Sequence, residues 1–264
     1  MSNIITDAKL VSQYAKKAME EPEVVITTRA PSDSEVVLPG GFINQNNEVV
    51  TTAEVRELNG SDEEAIAKSG STGKALNVLL QKGLVKLGAN PVTSSDLDTL
   101  LAGDRDAILI GIRKVTFGDD VDVPVECQHC KNEHTAVISL TADVPVRSLT
   151  NSVEDRVWSI ETKKGTAVVA LPNGIVQKRL MDNYDKTSAE INTLLISGCV
   201  VSLNGSPSVG ATTALSLSVT DRSKIIESIL TRTPGPRLGE VKKACKACGE
   251  SMDIPLSLTD LFRL

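Results

Sequence analysis

The chain is organised by the stretch Cys127-Gln-His-Cys130-Lys-Asn-Glu-His-Thr-Ala-Val-Ile-Ser-Leu140 and by its second copy, Cys245-Lys-Ala-Cys248-Gly-Glu-Ser-Met-Asp-Ile-Pro-Leu-Ser-Leu258. Each copy has two cysteines separated by two residues, and the copies agree again at the closing Ser-Leu pair. Apolar residues typical of short strands flank each cysteine pair. A tight turn between two strands that presents two thiolates is the pattern of a zinc knuckle. The repeat therefore predicts two knuckles, over residues 121–140 and 241–258.

Four thiolates from two such knuckles complete one tetrahedral structural zinc site, so we expect Cys127, Cys130, Cys245 and Cys248 to bind Zn²⁺ together. The two pairs lie far apart, whereas an ordinary zinc ribbon keeps them about 15–20 residues apart. Loop-closure entropy grows only logarithmically with length and adds roughly 1–2 kcal/mol here. A structural zinc site contributes about 10 kcal/mol or more. One shared ion is therefore feasible, with the intervening segment held at its base.

Other uses of the cysteines are less well supported. A disulfide framework is disfavoured because the N-terminal stretch has no apolar core of secretory length and the cysteine count, five, is odd. A redox pair would need a cysteine pair between a strand and a helix, which neither flank suggests. His134 is an alternative third ligand, although we expect a solvated side chain. Cys199 lies in an apolar run, where a small buried side chain is expected.

Composition bounds the function classes. The net charge is −6 and the pI is near 5.1, which argues against a nucleic-acid-binding surface over the whole protein. No stretch approaches the roughly 18–20 apolar residues of a membrane span. Only two histidines are present, and neither stands near a nucleophile pattern. We therefore expect a non-enzymatic cytoplasmic protein with no small-molecule substrate, in a reducing compartment that leaves thiolates available for metal.

Strand and helix patterns alternate along the rest of the chain and predict an α+β protein of small mixed layers around a zinc-ribbon-like unit. We divide it into residues 1–92, with an N-terminal helix or arm and a small α+β region, and residues 93–264, the zinc-containing region with an inserted α+β segment at 141–240. Predicted helices start at Asp7, at Ser61 through a capping box with Glu64, at Thr72, running to Leu87, and at Ser188.

Strand patterns complete this prediction. The first strand is expected to run from Val36 to Leu38 and to end before Pro39-Gly40-Gly41. Two further strands, Val157–Ile160 and Thr166–Leu171, are expected to form a hairpin, and the strand that contains Cys199 is expected to turn back at Asn204-Gly205.

A further helix is predicted from Asp104, its cap, to Gly118, with Ile108, Ile112 and Val115 on one face. Arg105 and Arg113 lie about two helical turns apart on roughly one side. Two interpretations stay open. Both arginines could be solvated residues that pair with nearby aspartates, or they could form a charged stripe for a neighbouring subunit.

The run Leu101-Ala-Gly-Asp-Arg-Asp-Ala-Ile-Leu-Ile-Gly-Ile-Arg-Lys-Val-Thr-Phe-Gly118, followed closely by the first knuckle, resembles the baseplate hub and hub-assembly family of T-even-like tailed bacteriophages. The resemblance extends upstream to Leu38-Pro39-Gly40-Gly41 and downstream to the second cysteine pair and the tail Leu261-Phe262-Arg263. It covers about half of the chain, and the N-terminal arm and residues 141–240 have no recognised counterpart in it.

This resemblance implies a structural virion protein of the tail baseplate, a hub or wedge component that assembles with other baseplate proteins after a stage in the host cytoplasm. Candidate subunit contacts are Asp104, Arg105, Arg113 and Phe262. An assembly chaperone absent from the virion is equally compatible with the family. A zinc-ribbon nucleic-acid binder is the alternative from another class, suggested locally by Lys242, Lys243 and Lys246, although no nucleic-acid partner is expected.

Overall fold

The computed structural model describes residues 34–208 and 210–262, and the helix expected from Asp7 lies outside them. An antiparallel sheet opens the described chain, in the order β1-β2-β3-β4. The β-branched runs of its first two strands make these the long ones. The asparagine-rich turn between them is closed by the Asn44 side chain, which accepts from the N–H groups of Asn46 and Glu48. The strands are β1 (Glu35–Ile43), β2 (Val49–Val55), β3 (Leu84–Leu87) and β4 (Asn90–Pro91).

Two predictions in this region are wrong. The Leu38-Pro39-Gly40-Gly41 stretch does not end the first strand; it forms a register shift inside β1 between Val37 and Phe42. The helix from Thr72 ends at Gly83 rather than Leu87, because Leu84–Leu87 pairs with β2. Strand pairing with a buried sheet overrides the helical pattern there.

Helices fill the space between and beside the sheets. The helix near Ser61 is capped by Asn59, which makes a capping box with Asp62, so the predicted box between Ser61 and Glu64 is wrong. None of the helices in the described ranges is long and apolar enough to cross a membrane. The helices span Gly60–Ala67, Thr72–Gly83, Ser94–Thr99, Ala102–Phe117, Gly174–Met181, Ser188–Cys199, Ala211–Ser216, Val219–Arg232 and Leu258–Phe262, with short 3₁₀ turns at Glu154–Arg156 and Leu238–Glu240.

The helix Ala102–Phe117, here called the central helix, lies between two cores. Its Ile108 and Ile112 are fully buried against the first sheet, while Ile110 contacts the core of the knuckles. Burial of one such side chain contributes about 1.5–3 kcal/mol. The helix begins two residues before Asp104, so Asp104 lies in its first turn. The prediction that Asp104 caps the helix is therefore wrong.

The two knuckles build the second core. The first is the hairpin of β5 (Asp120–Glu126) and β6 (Glu133–Ser139), and the second is the shorter hairpin of β13 (Lys242–Ala244) and β14 (Ser251–Asp253). Val121, Ile138 and Met252 are among the buried residues that the hairpins contribute, and Val241, just before β13, is buried with them. The knuckles therefore share a core although they are distant in sequence.

The inserted segment has a third core. An antiparallel sheet of order β11-β10-β9-β8 packs one face on helices, while Cys199 ends a helix and not the predicted strand. A two-stranded neck, β7 paired with β12, joins the segment to the rest. The strands are β7 (Val146–Arg147), β8 (Val157–Thr162), β9 (Gly165–Ala170), β10 (Val200–Leu203), β11 (Ser206–Pro207) and β12 (Gly235–Pro236).

The prediction of a mixed α+β fold with a four-cysteine unit is confirmed. The proposed boundary between residues 92 and 93 does not separate two cores. Leu38, Leu79 and Leu84 from one side of it and Ile108 and Ile112 from the other belong to the same buried cluster.

Candidate metal centre

The first knuckle is a turn that closes on its own backbone. The N–H of Lys131 donates to the carbonyl oxygen of Cys127 at 2.9 Å, and the N–H of Cys127 donates to the carbonyl oxygen of Asn132 at 3.0 Å. Lys131 adopts φ of 60°, in the left-handed region. Cys127 is buried below the turn and Cys130 is exposed.

The second knuckle repeats this geometry at matching positions. The N–H of Gly249 donates to the carbonyl oxygen of Cys245 at 2.9 Å, and the N–H of Cys245 donates to the carbonyl oxygen of Glu250 at 2.8 Å. Gly249, with φ of 78°, occupies the place of Lys131. Cys245 is buried and Cys248 is exposed, so each knuckle supplies one covered and one accessible sulfur.

The fold brings the four sulfurs together across the two knuckles. Sγ of Cys127 lies 3.7 Å from Sγ of Cys248, and Sγ of Cys130 lies 3.8 Å from Sγ of Cys245. All four sulfurs lie within 4.8 Å of one another. A tetrahedral Zn²⁺ with bonds of about 2.3 Å separates its sulfurs by about 3.8 Å, whereas a disulfide needs about 2.05 Å. The cluster therefore has the dimensions of a four-thiolate zinc site.

Backbone donors prepare the buried sulfurs for metal. The N–H groups of Cys248 and Ala247 lower the pKa of the Cys245 thiol to about 7. The N–H of Cys130, followed by that of His129, lowers the pKa of Cys127. At Cys248, the N–H of Glu250 favours the thiolate, yet lost hydration and the neighbouring cysteines outweigh it and raise the pKa to about 12. Four thiolates at these distances repel one another, and a bound divalent cation would offset that repulsion.

The two knuckles are also joined by charge. Lys243, before the second cysteine pair, forms an ion pair with Asp143, which follows the first hairpin. The ammonium group of Lys243 lowers the pKa of the Asp143 carboxyl below its ordinary value. This pair cannot be predicted from the sequence, because nothing in local spacing connects two residues so far apart.

The sequence matches the model of a known protein family. The model of the T4 bacteriophage base plate protein family matches residues 43–206, more than half of the sequence. The chain belongs to that family. No curated protein and no solved structure matches it.

The family match gives this baseplate-family protein a structural role in a phage tail. The match begins in β1, includes the first knuckle and runs into the inserted segment. The expectation that residues 141–240 have no counterpart is therefore wrong as far as residue 206. The second knuckle lies beyond the matched region, so the family match by itself says nothing about the complete cysteine cluster.

The remaining histidine and cysteine candidates lie outside the cluster. His134 pairs with Val125 in the first hairpin, and among the described residues neither of its buried ring nitrogens has a hydrogen-bond partner. The expectation of a solvated His134 is therefore wrong. Within the described ranges, the group of side chains that could hold a metal ion consists of the four cysteines. Cys199 is buried, and burial raises the pKa of its thiol to about 12.

Two of the four expected subunit contacts are internal. The side chains of Asp104 and Arg105, with exposed fractions of 0% and 1%, are enclosed by the chain itself, so the expected surface role is wrong for both. Arg113 donates to the carbonyl oxygens of Leu261 at 2.9 Å and Gly118 at 2.7 Å. Phe262 packs partly buried against both neighbouring cores. Asp104 and Arg105 are buried because several segments of the chain converge on the first turn of the central helix.

Proposed function

We propose that this protein is a non-enzymatic hub or wedge component of the tail baseplate, which acts through contacts with other baseplate proteins and uses zinc as a structural staple. The family match supports the baseplate role, and the four-sulfur cluster supports the staple. The proposed site is the virion tail, reached by assembly in the host cytoplasm.

The form of the cluster favours a structural ion over a catalytic one. Four cysteine ligands fill the tetrahedral positions of Zn²⁺ and leave none for a substrate or an activated water. The ion would hold β5–β6 against β13–β14, the hairpins between which the inserted segment begins and ends. Zinc therefore fixes the base of the inserted segment, as Cys127, Cys130, Cys245 and Cys248 converge on it.

The inserted segment provides the candidate docking face. Val157 and Val201, on the outward side of its sheet, are about half exposed at 50% and 53%. Contiguous exposed apolar side chains mark surfaces that contact neighbours, so we place the docking face on this side of the sheet. The central helix contributes less than expected, because the side chains of its first turn and of Ile108 and Ile112 are buried.

The lysines near the second knuckle do not favour nucleic-acid binding. Lys242 pairs with Asp253 at 3.1 Å, and Lys243 pairs with Asp143. Lys246 donates to the carbonyl oxygen of Thr135. A phosphate-binding surface needs unpaired cations, and the net charge of −6 opposes it further.

The test is mass spectrometry of purified phage particles together with metal analysis of the isolated protein. A virion component remains in finished particles at stoichiometric amounts, and the isolated wild type contains zinc. Absence from finished particles would indicate the assembly chaperone instead, and absence of zinc would remove the proposed staple.

Variants sharpen this test. Cys127→Ser and Cys245→Ser should each expose apolar surface and prevent incorporation into particles. Cys199→Ala, which removes a buried thiol outside the cluster, is the matched control and should be incorporated normally. Normal incorporation of both cluster variants would contradict the proposal.

A further inference from the structure

Three consecutive residues in the first turn of the central helix, Gly103, Asp104 and Arg105, contact three different parts of the chain. Successive helical residues point about 100° apart, so three of them face most of the helix circumference. The sequence singled out Asp104 and Arg105 of this run as subunit contacts. The structure instead makes it a junction inside the protein.

Gly103 receives the neck of the inserted segment. A Cβ atom at this position would overlap the carbonyl oxygen of Pro234, and Gly235 packs directly on Gly103. Only glycine permits this approach of two backbones. Gly235 is also the residue of β12 that pairs with Arg147 of β7. The neck is thereby held against the central helix.

Asp104 faces the register shift in β1. Its Oδ1 accepts a hydrogen bond from the N–H of Gly40 at 2.6 Å, while Oδ2 has no partner among the described residues. Burial raises the pKa of this carboxyl to about 6. Arg156 donates to the carbonyl oxygens of Gly40 and Gly41 from the other side. Asp104 therefore attaches the first sheet, through Gly40 of β1, to the junction.

Arg105 faces the inserted segment, and each of its three guanidinium nitrogens donates a hydrogen bond. Nε donates to Oε1 of Gln177 at 2.6 Å, Nη1 to the carbonyl oxygen of Leu97 at 2.6 Å, and Nη2 to Oδ1 of Asn77 at 2.5 Å. Gln177 in turn donates to Asp106 at 2.6 Å. One planar group thus joins the helix Gly174–Met181 of the inserted segment to two helices of the first core.

A buried cation with neutral acceptors needs all of them. Within the described ranges no carboxylate forms an ion pair with Arg105, and burial lowers its pKa while the charges of Asp106 and Asp98 oppose this shift. Loss of one acceptor would leave part of a buried charge uncompensated, which is strongly destabilising. Lysine cannot replace the arginine, because a single ammonium does not reach three acceptors in a plane.

The backbone next to Arg105 follows the same contact. The N–H of Ala102 donates to the carbonyl oxygen of Pro172, and the N–H of Gly174 donates to that of Leu100, both at 2.9 Å. A side chain at Gly174 would overlap the carbonyl oxygen of Leu97 and approach Nη1 of Arg105. The inserted segment therefore approaches the central helix too closely for solvent to separate them.

We infer that Arg105 is the positioning residue that fixes the inserted segment on the body of the protein, at a second attachment point separate from the cysteine cluster. The attachment itself does not depend on bound metal. Its consequence for the tail rests on the proposed function: Arg105 sets how the docking face with Val157 and Val201 is presented to neighbouring subunits.

The test is hydrogen exchange of the full-length, zinc-loaded protein carrying Arg105→Lys. Amides of Gly174–Met181 should exchange at least about tenfold faster than in the wild type, while those of Asp120–Glu126 and Glu133–Ser139 and the zinc content stay unchanged. Arg179→Lys, an exposed arginine on the same inserted helix, is the matched control and should exchange as the wild type does. Unchanged exchange at Gly174–Met181 would overturn the inference, and so would uniformly faster exchange throughout the described chain.

Gln177→Ala provides the second variant if Arg105→Lys does not fold. It removes one acceptor of Arg105 and the donor to Asp106, and it should produce the same local pattern with a smaller increase. In particles, Gln177→Ala should lower incorporation while the purified variant keeps its zinc. Normal incorporation of a variant with loosened Gly174–Met181 would overturn the link to assembly. A failure of the zinc proposal would appear separately, as absence of metal from the wild type.

Discussion

The two knuckles have the same turn but unequal support. In the first, seven residue pairs connect β5 and β6, whereas in the second only three pairs connect β13 and β14. Both turns make the same pair of backbone hydrogen bonds and end in a left-handed residue. The first knuckle can therefore be stabilised by its own hairpin, while the second depends more on the shared cluster and core.

The residue with positive φ also differs between the two knuckles, and this difference favours the second knuckle. Gly249 adopts positive φ without a side-chain clash, whereas Lys131 does so with a Cβ atom. The better supported hairpin thus carries the less favourable turn residue. Four experiments, ordered by expected effect, test this comparison.

The largest effect is expected from the loss of one cysteine in either knuckle. If both knuckles share one ion, Cys127→Ser and Cys245→Ser should each remove most of the bound zinc and its contribution of about 10 kcal/mol or more to folding. Zinc content and thermal unfolding measure this, with Cys199→Ala as the control that keeps the metal. Retention of half of the wild-type zinc in Cys127→Ser would show that each knuckle holds its own ion.

Withdrawal of metal should affect the knuckles unequally. After addition of a strong chelator, amides of Lys242–Ala244 and Ser251–Asp253 should lose at least about tenfold more protection from hydrogen exchange than those of β5 and β6, because fewer strand pairs remain to hold them. Hydrogen exchange with mass spectrometry resolves the two hairpins. Equal loss would mean that hairpin length does not set local stability here.

Gly249→Ala should destabilise the zinc-loaded protein by about 1–2 kcal/mol, the cost of a left-handed residue with a Cβ atom. A Cβ at this position meets no atom within 4 Å, so the cost arises from the backbone alone. Urea unfolding measures it. Gly239→Ala, equally open but without positive φ, is the matched control and should be neutral or slightly stabilising. Equal effects of the two substitutions would contradict this explanation.

Lys131→Gly should give the smallest effect, a stabilisation of up to about 1 kcal/mol. Relief of the left-handed strain exceeds the entropy that glycine adds to the unfolded chain. The ion pair of Lys131 with Glu126, at 3.5 Å between side chains that are 73% and 55% exposed, contributes little. Urea unfolding of the same zinc-loaded protein provides the value, and Lys131→Ala, which keeps the Cβ, should show no gain. A loss of stability in Lys131→Gly would contradict the assigned strain.

Local patterns predicted much of this molecule. The hairpin from Val157 to Ala170, the helix from Ser188 and the turn at Asn204 are present where apolar alternation and turn residues indicated them. The predicted ends of helices and strands were wrong where contacts with a distant part of the chain competed with a local preference. Leu84–Leu87 continues a helical pattern in sequence but pairs with β2, and Leu38-Pro39-Gly40-Gly41 remains in β1 because Asp104 and Arg156 hold its backbone.

The sequence by itself predicted which four cysteines form the cluster, because a repeated motif shows its candidate metal ligands in its own spacing. Only the tertiary structure decided the roles of Gly103, Asp104 and Arg105, whose partners lie in separate segments and follow no motif. A thiolate pair is recognisable without knowledge of its neighbours, because two sulfurs on one turn already suit a metal. The role of a buried charged residue can be recognised only when the fold shows its hydrogen-bond acceptors. For Arg105 these acceptors come from three different helices.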